Sequence, residues 1–131
     1  MTQHLDGAFE VTSWSEEQAP GLEGTRKVAT ARIGQRFTGS VEADTIADMV
    51  MAYAEDGTAE FVGYQRVQAE VGGRSGTFVL RGIGHYDGNE ARTELEVVPG
   101  SGTGQLADVR GRGLALAPHG STGTYSLDLD L

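Results

Sequence analysis

At 131 residues and a formal charge of −9, with no cysteine, the chain is long enough for one domain with a real core and owes nothing to disulfides or cysteine-ligated metal. Its 19 acidic residues against 10 basic ones repel phosphates and anionic lipid, which argues against nucleic acid or a membrane surface as partner. No run approaches the roughly 18 apolar residues of a membrane helix. Met1–Asp6 lacks the basic-then-apolar pattern of a secretory signal, so the expected location is the cytoplasm.

In chain order, residues 1–7 read as a loose start. Ala8–Glu17 alternates as a strand with Phe9 and Val11 on one face, and Gln18–Thr25, with Pro20 and two glycines, reads as a loop. Val28–Phe37 is a strand on which Ala31, Ile33, Gln35 and Phe37 share a face. Residues 41–53 satisfy two patterns. Ile46, Met49, Val50 and Tyr53 fit one face of a helix, whereas Val41, Ala43, Thr45, Ala47, Met49, Met51 and Tyr53 alternate as a strand. The all-β surroundings favour the strand. Glu60–Val71, Thr77–Tyr86, Ala91–Val98, Asp108–Ala117 and Thr122–Leu131 then follow as strands, punctuated by Asp56-Gly57, Gly72-Gly73, Asp87-Gly88, the glycine-rich run Pro99–Gly104 and Pro118-His119-Gly120. Eight strands joined mostly by tight turns predict a single all-β domain over residues 1–131, an antiparallel up-and-down barrel with little or no helix.

Phe9-Glu10-Val11-x-Ser13-Trp14, Met51-Ala52-Tyr53, Asp56-Gly57-Thr58-Ala59-x-Phe61-Val62-Gly63, Gly73-Arg74-Ser75-Gly76-x-Phe78-Val79-Leu80, Val98–Gly104 and Ala117–Gly120 occur in an order and spacing that resemble a bacterial family, domain of unknown function 3224. That family is similar to the allene oxide cyclase barrel, so the resemblance implies an eight-stranded barrel with a mostly apolar interior. It also implies three departures: Gln65 where the family usually carries an acid, Gly82 where a histidine is frequent, and Leu95 where a tryptophan is common. All three share the lumen face with Phe61, Phe78 and Leu80, so the departures enlarge the lumen and strip it of ionisable groups.

An eight-stranded barrel is just wide enough to be filled by side chains or to hold one small ligand. The ligand-lining residues expected from alternation are Gln35, Met49, Met51, Tyr53, Phe61, Gln65, Phe78, Leu80, Gly82, Tyr86, Leu95 and Tyr125, with Gly63, Gly84, Ala91, Gly111 and Gly113 leaving room between them. Gln35, Gln65, Tyr53 and Tyr86 are polar handles in an apolar surround, the usual make-up of a small-molecule pocket. Gln65 and Tyr86 are the candidates for catalysis. Enclosure and a polarised carbonyl suffice for ring closure or isomerisation, so a cofactor-independent cyclase or isomerase is one expectation. A carrier without chemistry, or a filled barrel acting through its outer surface, is the alternative.

Other chemistry is weakly supported. His4, His85 and His119 stand apart and lack metal-ligand spacing, so no metal or cofactor is expected. The pairs Glu94/Glu96 and Asp128/Asp130 fall on the outer wall beside Arg110 and Arg112, where a charge ladder is the simpler reading than glycoside chemistry. The glycine-rich run has neither phosphate-loop nor nucleophile-elbow spacing and reads as a turn. Val62, Val79, Ile83 and Leu114 point outward and suggest a homo-oligomer contact.

Overall fold

The computed structural model describes residues 2–22, 24–119 and 122–131. Its strands are β1 (Thr2–Gln18), β2 (Lys27–Gly39), β3 (Ala43–Tyr53), β4 (Ala59–Val71), β5 (Arg74–Tyr86), β6 (Ala91–Val97), β7 (Arg110–His119) and β8 (Thr122–Asp130). Each pairs antiparallel with the next, and β8 returns to β1 to close an up-and-down barrel. Among the described residues the only helical element is one 3-10 turn, Gly104–Leu106.

The ambiguous segment is β3. Ala43, Thr45, Ala47, Met49 and Met51 are buried, while Ile46 and Val50 face out. A helix would satisfy its own backbone, but the closed barrel needs β3 to supply a ladder to β2 and another to β4. Tertiary pairing decides between two equally good local patterns. The β4–β5 connection is a two-residue hairpin in which Gly72 and Gly73 have φ of 58° and 77°, the left-handed pair that matches strand twist and that side chains resist.

Two expectations are corrected here. The expected loose start is not found over residues 2–7: β1 begins at Thr2, and buried Leu5 pairs with Leu127 in the seam that closes the barrel. One apolar residue among Thr, Gln, His and Asp is too little signal for alternation to register. The glycine-rich run is also more than a turn. Beyond the end of β6 it continues along β5: Thr103 N–H donates to the Thr77 carbonyl at 2.8 Å, and Thr77 and Val79 N–H donate to the Thr103 and Ser101 hydroxyls. Leu106 and Val109 then drop into the core.

That segment plugs one end of the lumen. Leu5, Val71, Phe78, Leu80, Val97, Leu106, Tyr125 and Leu129 pack there with their neighbours in one buried cluster. Each full burial is worth about 1.5–3 kcal/mol. Tyr125 packs 4.8 Å from Phe37 on the filled side, and Phe9 and Phe37, ring centroids 5.8 Å apart, lie across the middle. They divide the filled half from the other.

On the outer wall Val50, Val62 and Ile83 stand directly opposite one another across β3, β4 and β5, each about half exposed, whereas Val79 and Leu114 are only partly exposed. The carboxylate pairs are outside as expected, but their partners differ from the ladder read in the sequence. Arg112 stands opposite Glu96 and Asp128, yet Glu96 pairs with Arg81 at 3.7 Å and Asp128 accepts from His4 Nδ1 at 2.7 Å. The His4–Asp128 contact spans the closing seam and raises the His4 pKa above its ordinary 6.5. His85 is exposed; the His119 side chain and residues 120 and 121 lie outside the described residues.

Tyr125 OH donates to the Thr38 carbonyl at 2.7 Å and accepts from Val41 N–H at 3.2 Å, pinning the β2–β3 connection to the core. Tyr125→Phe leaves both backbone groups unpaired and is expected to cost about 1–3 kcal/mol. The urea midpoint should fall at constant m-value, while Phe in place of exposed Tyr64 should leave it unmoved.

Candidate functional site

The second half of the lumen is not filled. A cavity of about 360 Å³ opens at the end where β1, β3, β5 and β7 finish and β2, β4, β6 and β8 begin. Of the residues expected to line a pocket, Gln35, Met49, Met51, Tyr53, Phe61, Gln65, Gly82, Tyr86 and Leu95 do so. Phe78, Leu80 and Tyr125 point inward but pack in the filled half: Leu80 stands opposite Gln65, Phe78 opposite Val67, and Tyr125 opposite Gly7, two residues below Phe9.

Most of the glycines that alternation placed inside do not make the space. The Phe61 ring covers Gly84, Met49 and the Asp48 carbonyl crowd Gly63, and Leu127 and Leu129 cover Gly113 and Gly111. Their missing side chains are spent on cross-strand packing. Gly82 differs: the atoms nearest to a Cβ there would be the ends of Thr93, Leu95 and Met49, at 3.1, 3.7 and 3.7 Å. Gly82, with alanines 47, 59, 91, 115 and 117, is what leaves the upper lumen open.

The floor is polar. Gln65, only 7% exposed, donates from Nε2 to Gln35 Oε1 at 2.8 Å and to Thr45 Oγ1 at 2.6 Å; Thr45 Oγ1 donates in turn to the Gln35 backbone carbonyl. Neither glutamine side chain makes a further hydrogen bond among the described residues, and no fully buried side-chain N or O lacks a partner there. The Gln35 amine and the Gln65 carbonyl oxygen therefore face the cavity. Exchanging O and N on both amides keeps the same count, one donor and one acceptor.

The two tyrosines are not free handles. Tyr86 lends its ring to the wall while its hydroxyl donates to the Gly88 carbonyl at 3.0 Å. Tyr53 OH donates to Glu16 Oε1 at 2.9 Å, and Trp14 Nε1 donates to the same oxygen at 3.2 Å. Lys27 Nζ lies 3.7 Å from Glu16 Oε2 and 4.7 Å over the Tyr53 ring.

Alternation hides this rim cluster. Val11 pairs with Gln35 and Ser13 with Gly34, so Thr12 is an extra residue, and Gly34 leaves room for the Thr12 and Ser13 hydroxyls. The bulge reverses the faces of β1 and swings Trp14 and Glu16 over the mouth, a common use of bulges beside sites. The available signal was the spacing of Phe9, Val11 and Trp14, which breaks period two.

Around the mouth carboxylates dominate. Glu16, Glu17, Glu55, Asp56, Glu60, Asp87 and Glu90 face Arg26, Lys27 and Arg92, all on the strand ends and turns of the open side. Asp56 and Asp87 accept hydrogen bonds from Thr58 and from the Glu90 and Asn89 N–H groups, which hold both below the usual carboxylate range. Among the described residues no group of three or more histidines, cysteines or carboxylates is placed to hold a metal ion, and no helix is long and apolar enough to cross a membrane.

Burial, followed by the hydrogen bond to Glu16 and its charge, pushes the Tyr53 phenol up to about 12. The folded form is favoured by the neutral phenol below the ordinary value of 10.0, and that advantage is lost as pH rises toward 12. Ultraviolet titration should show a late phenolate step that Tyr53→Phe removes. Glu16→Gln should bring the step down without restoring the ordinary value, since burial remains. An unchanged late step in Tyr53→Phe would contradict the assignment.

A family model for a protein of unknown function, DUF3224, matches residues 5–129. The chain is also similar to a DUF3224 protein of unknown function from Shewanella oneidensis MR-1, whose crystal structure aligns with a TM-score of 0.82 at 28% identity, covering 100% of this chain and 98% of that one. No functionally curated protein matches. With nearly its whole length matched and the same barrel in a solved relative, the chain belongs to the DUF3224 family.

Proposed function

We propose that the barrel takes up one small, largely apolar molecule through its open end and seats a carbonyl or hydroxyl of that molecule on the glutamine floor. The observation that carries this reading is the combination of a cavity of about 360 Å³ with an unused amide donor and acceptor at its base. Ligand pockets run from about 300 Å³ upward, apolar with a few convergent polar groups. A hydroxyl or carbonyl brought to the floor completes bonds that water would otherwise supply.

The same arrangement supports a cofactor-independent cyclase or isomerase. The walls restrict a flexible chain, which lowers the entropic barrier to ring closure, and the floor amine polarises a carbonyl. Similarity to the allene oxide cyclase barrel supports this as a fold-level analogy only. The carrier reading uses the same site without turnover. Tyr86, its hydroxyl already committed to Gly88, contributes packing in either case. The exposed Val50–Val62–Ile83 row is the part of the outer wall that would serve a homo-oligomer contact.

The single tryptophan is Trp14, on the cavity lining, so its fluorescence reports binding directly. Decanol should quench or shift it saturably. Gly82→His, whose ring enters the cavity past Thr93 and Leu95, should weaken decanol by about tenfold or more with little change in melting temperature. Gln65→Leu should erase the preference for decanol over decane. Unchanged affinity in Gly82→His would place the ligand elsewhere.

A further inference from the structure

The mouth of the cavity carries a chemistry distinct from its floor. Trp14 and Tyr53, both on the lining, are tied to one carboxylate oxygen of Glu16. Ala29 and Ala31 lie beneath this contact and are small enough to let Glu16 on β1 reach Tyr53 on β3 over β2. The Glu16 side chain is 23% exposed. Two aromatic rings beside a carboxylate form a surround suited to an organic cation, because ring quadrupoles and carboxylate charge add. A cation already occupies part of it. The Lys27 ammonium, on a side chain 44% exposed, sits over the Tyr53 ring and against Glu16 at a distance too long for a tight pair.

We propose that Lys27 is an internal stand-in and that the preferred ligand of the cavity is an amphiphilic amine or quaternary ammonium, its apolar tail in the lumen and its head between Trp14, Tyr53 and Glu16. This inference rests on the small-molecule reading of the cavity. The acidic rim supports it independently: anionic amphiphiles such as fatty acids approach against a negative field that extends about 10 Å at moderate salt. The polar floor remains available to a hydroxyl or carbonyl at the far end of the tail.

The test uses the whole protein, Trp14 fluorescence and three probes of equal chain length: decyltrimethylammonium, decanol and decanoate. Decyltrimethylammonium should bind about tenfold or more tighter than decanoate. Glu16→Gln should weaken the ammonium probe severalfold and leave decanol unchanged. Lys27→Met, which removes the stand-in, should tighten the ammonium probe. Equal or tighter binding of decanoate overturns the inference, as does a loss of ammonium affinity in Lys27→Met, while decanol binding would leave the cavity reading intact. If none of the three probes binds, the cavity reading falls with it.

Discussion

Closure of β1 on β8 is the constraint from which the remaining architecture follows. Register from Thr2 opposite Asp130 to Glu10 opposite Thr122 removes the sheet edges and gives the molecule one interior, no wider than its side chains. In such a lumen there is no spare layer. Each inward position either fills the middle or leaves it empty. Leucine, valine and aromatic residues fill the end beneath Phe9 and Phe37, and the segment after β6 seals it with Leu106 and Val109. Alanines and Gly82 line the other end, which stays open.

That asymmetry gives the cavity two chemically distinct poles. At the floor, Gln35, Gln65 and Thr45 form a neutral network that is closed except for one donor and one acceptor. At the rim, Glu16 gathers Trp14, Tyr53 and Lys27 into a charged, aromatic contact. Between them the wall is methionine, phenylalanine and leucine. β4 covers the distance from Ala59 at the rim to Gln65 at the floor in about 20 Å, at roughly 3.3 Å per residue. An elongated amphiphile with unlike ends matches this layout better than a compact one.

The barrel was legible in the sequence because period two survives wherever one face is buried: β2, β3, β4, β5 and β8 alternate almost without fault. From that alternation Gln35, Met49, Met51, Tyr53, Phe61, Gln65, Gly82, Tyr86 and Leu95 could be assigned to the lumen. Height within the lumen could not. Phe78, Leu80 and Tyr125 share the face of the pocket residues, and only their packing inside the closed, tilted barrel puts them in the filled half. The inserted residue at Thr12 hid the rim, since one bulge inverts every later side chain of β1. The glycines misled for a third reason. An inward glycine looks like empty space in one strand, and the side chain that covers it, Phe61 over Gly84 for example, comes from the next.

The claim on which all of this depends is that the upper lumen is an accessible apolar space. A crystal pressurised with xenon tests it most directly, because xenon enters dry cavities lined by such side chains without needing a polar anchor. A xenon site is expected among Met49, Phe61 and Leu95, above the Gln65 amide. A lumen without xenon, with Trp14 or Tyr86 folded inward to occupy that volume, would contradict it.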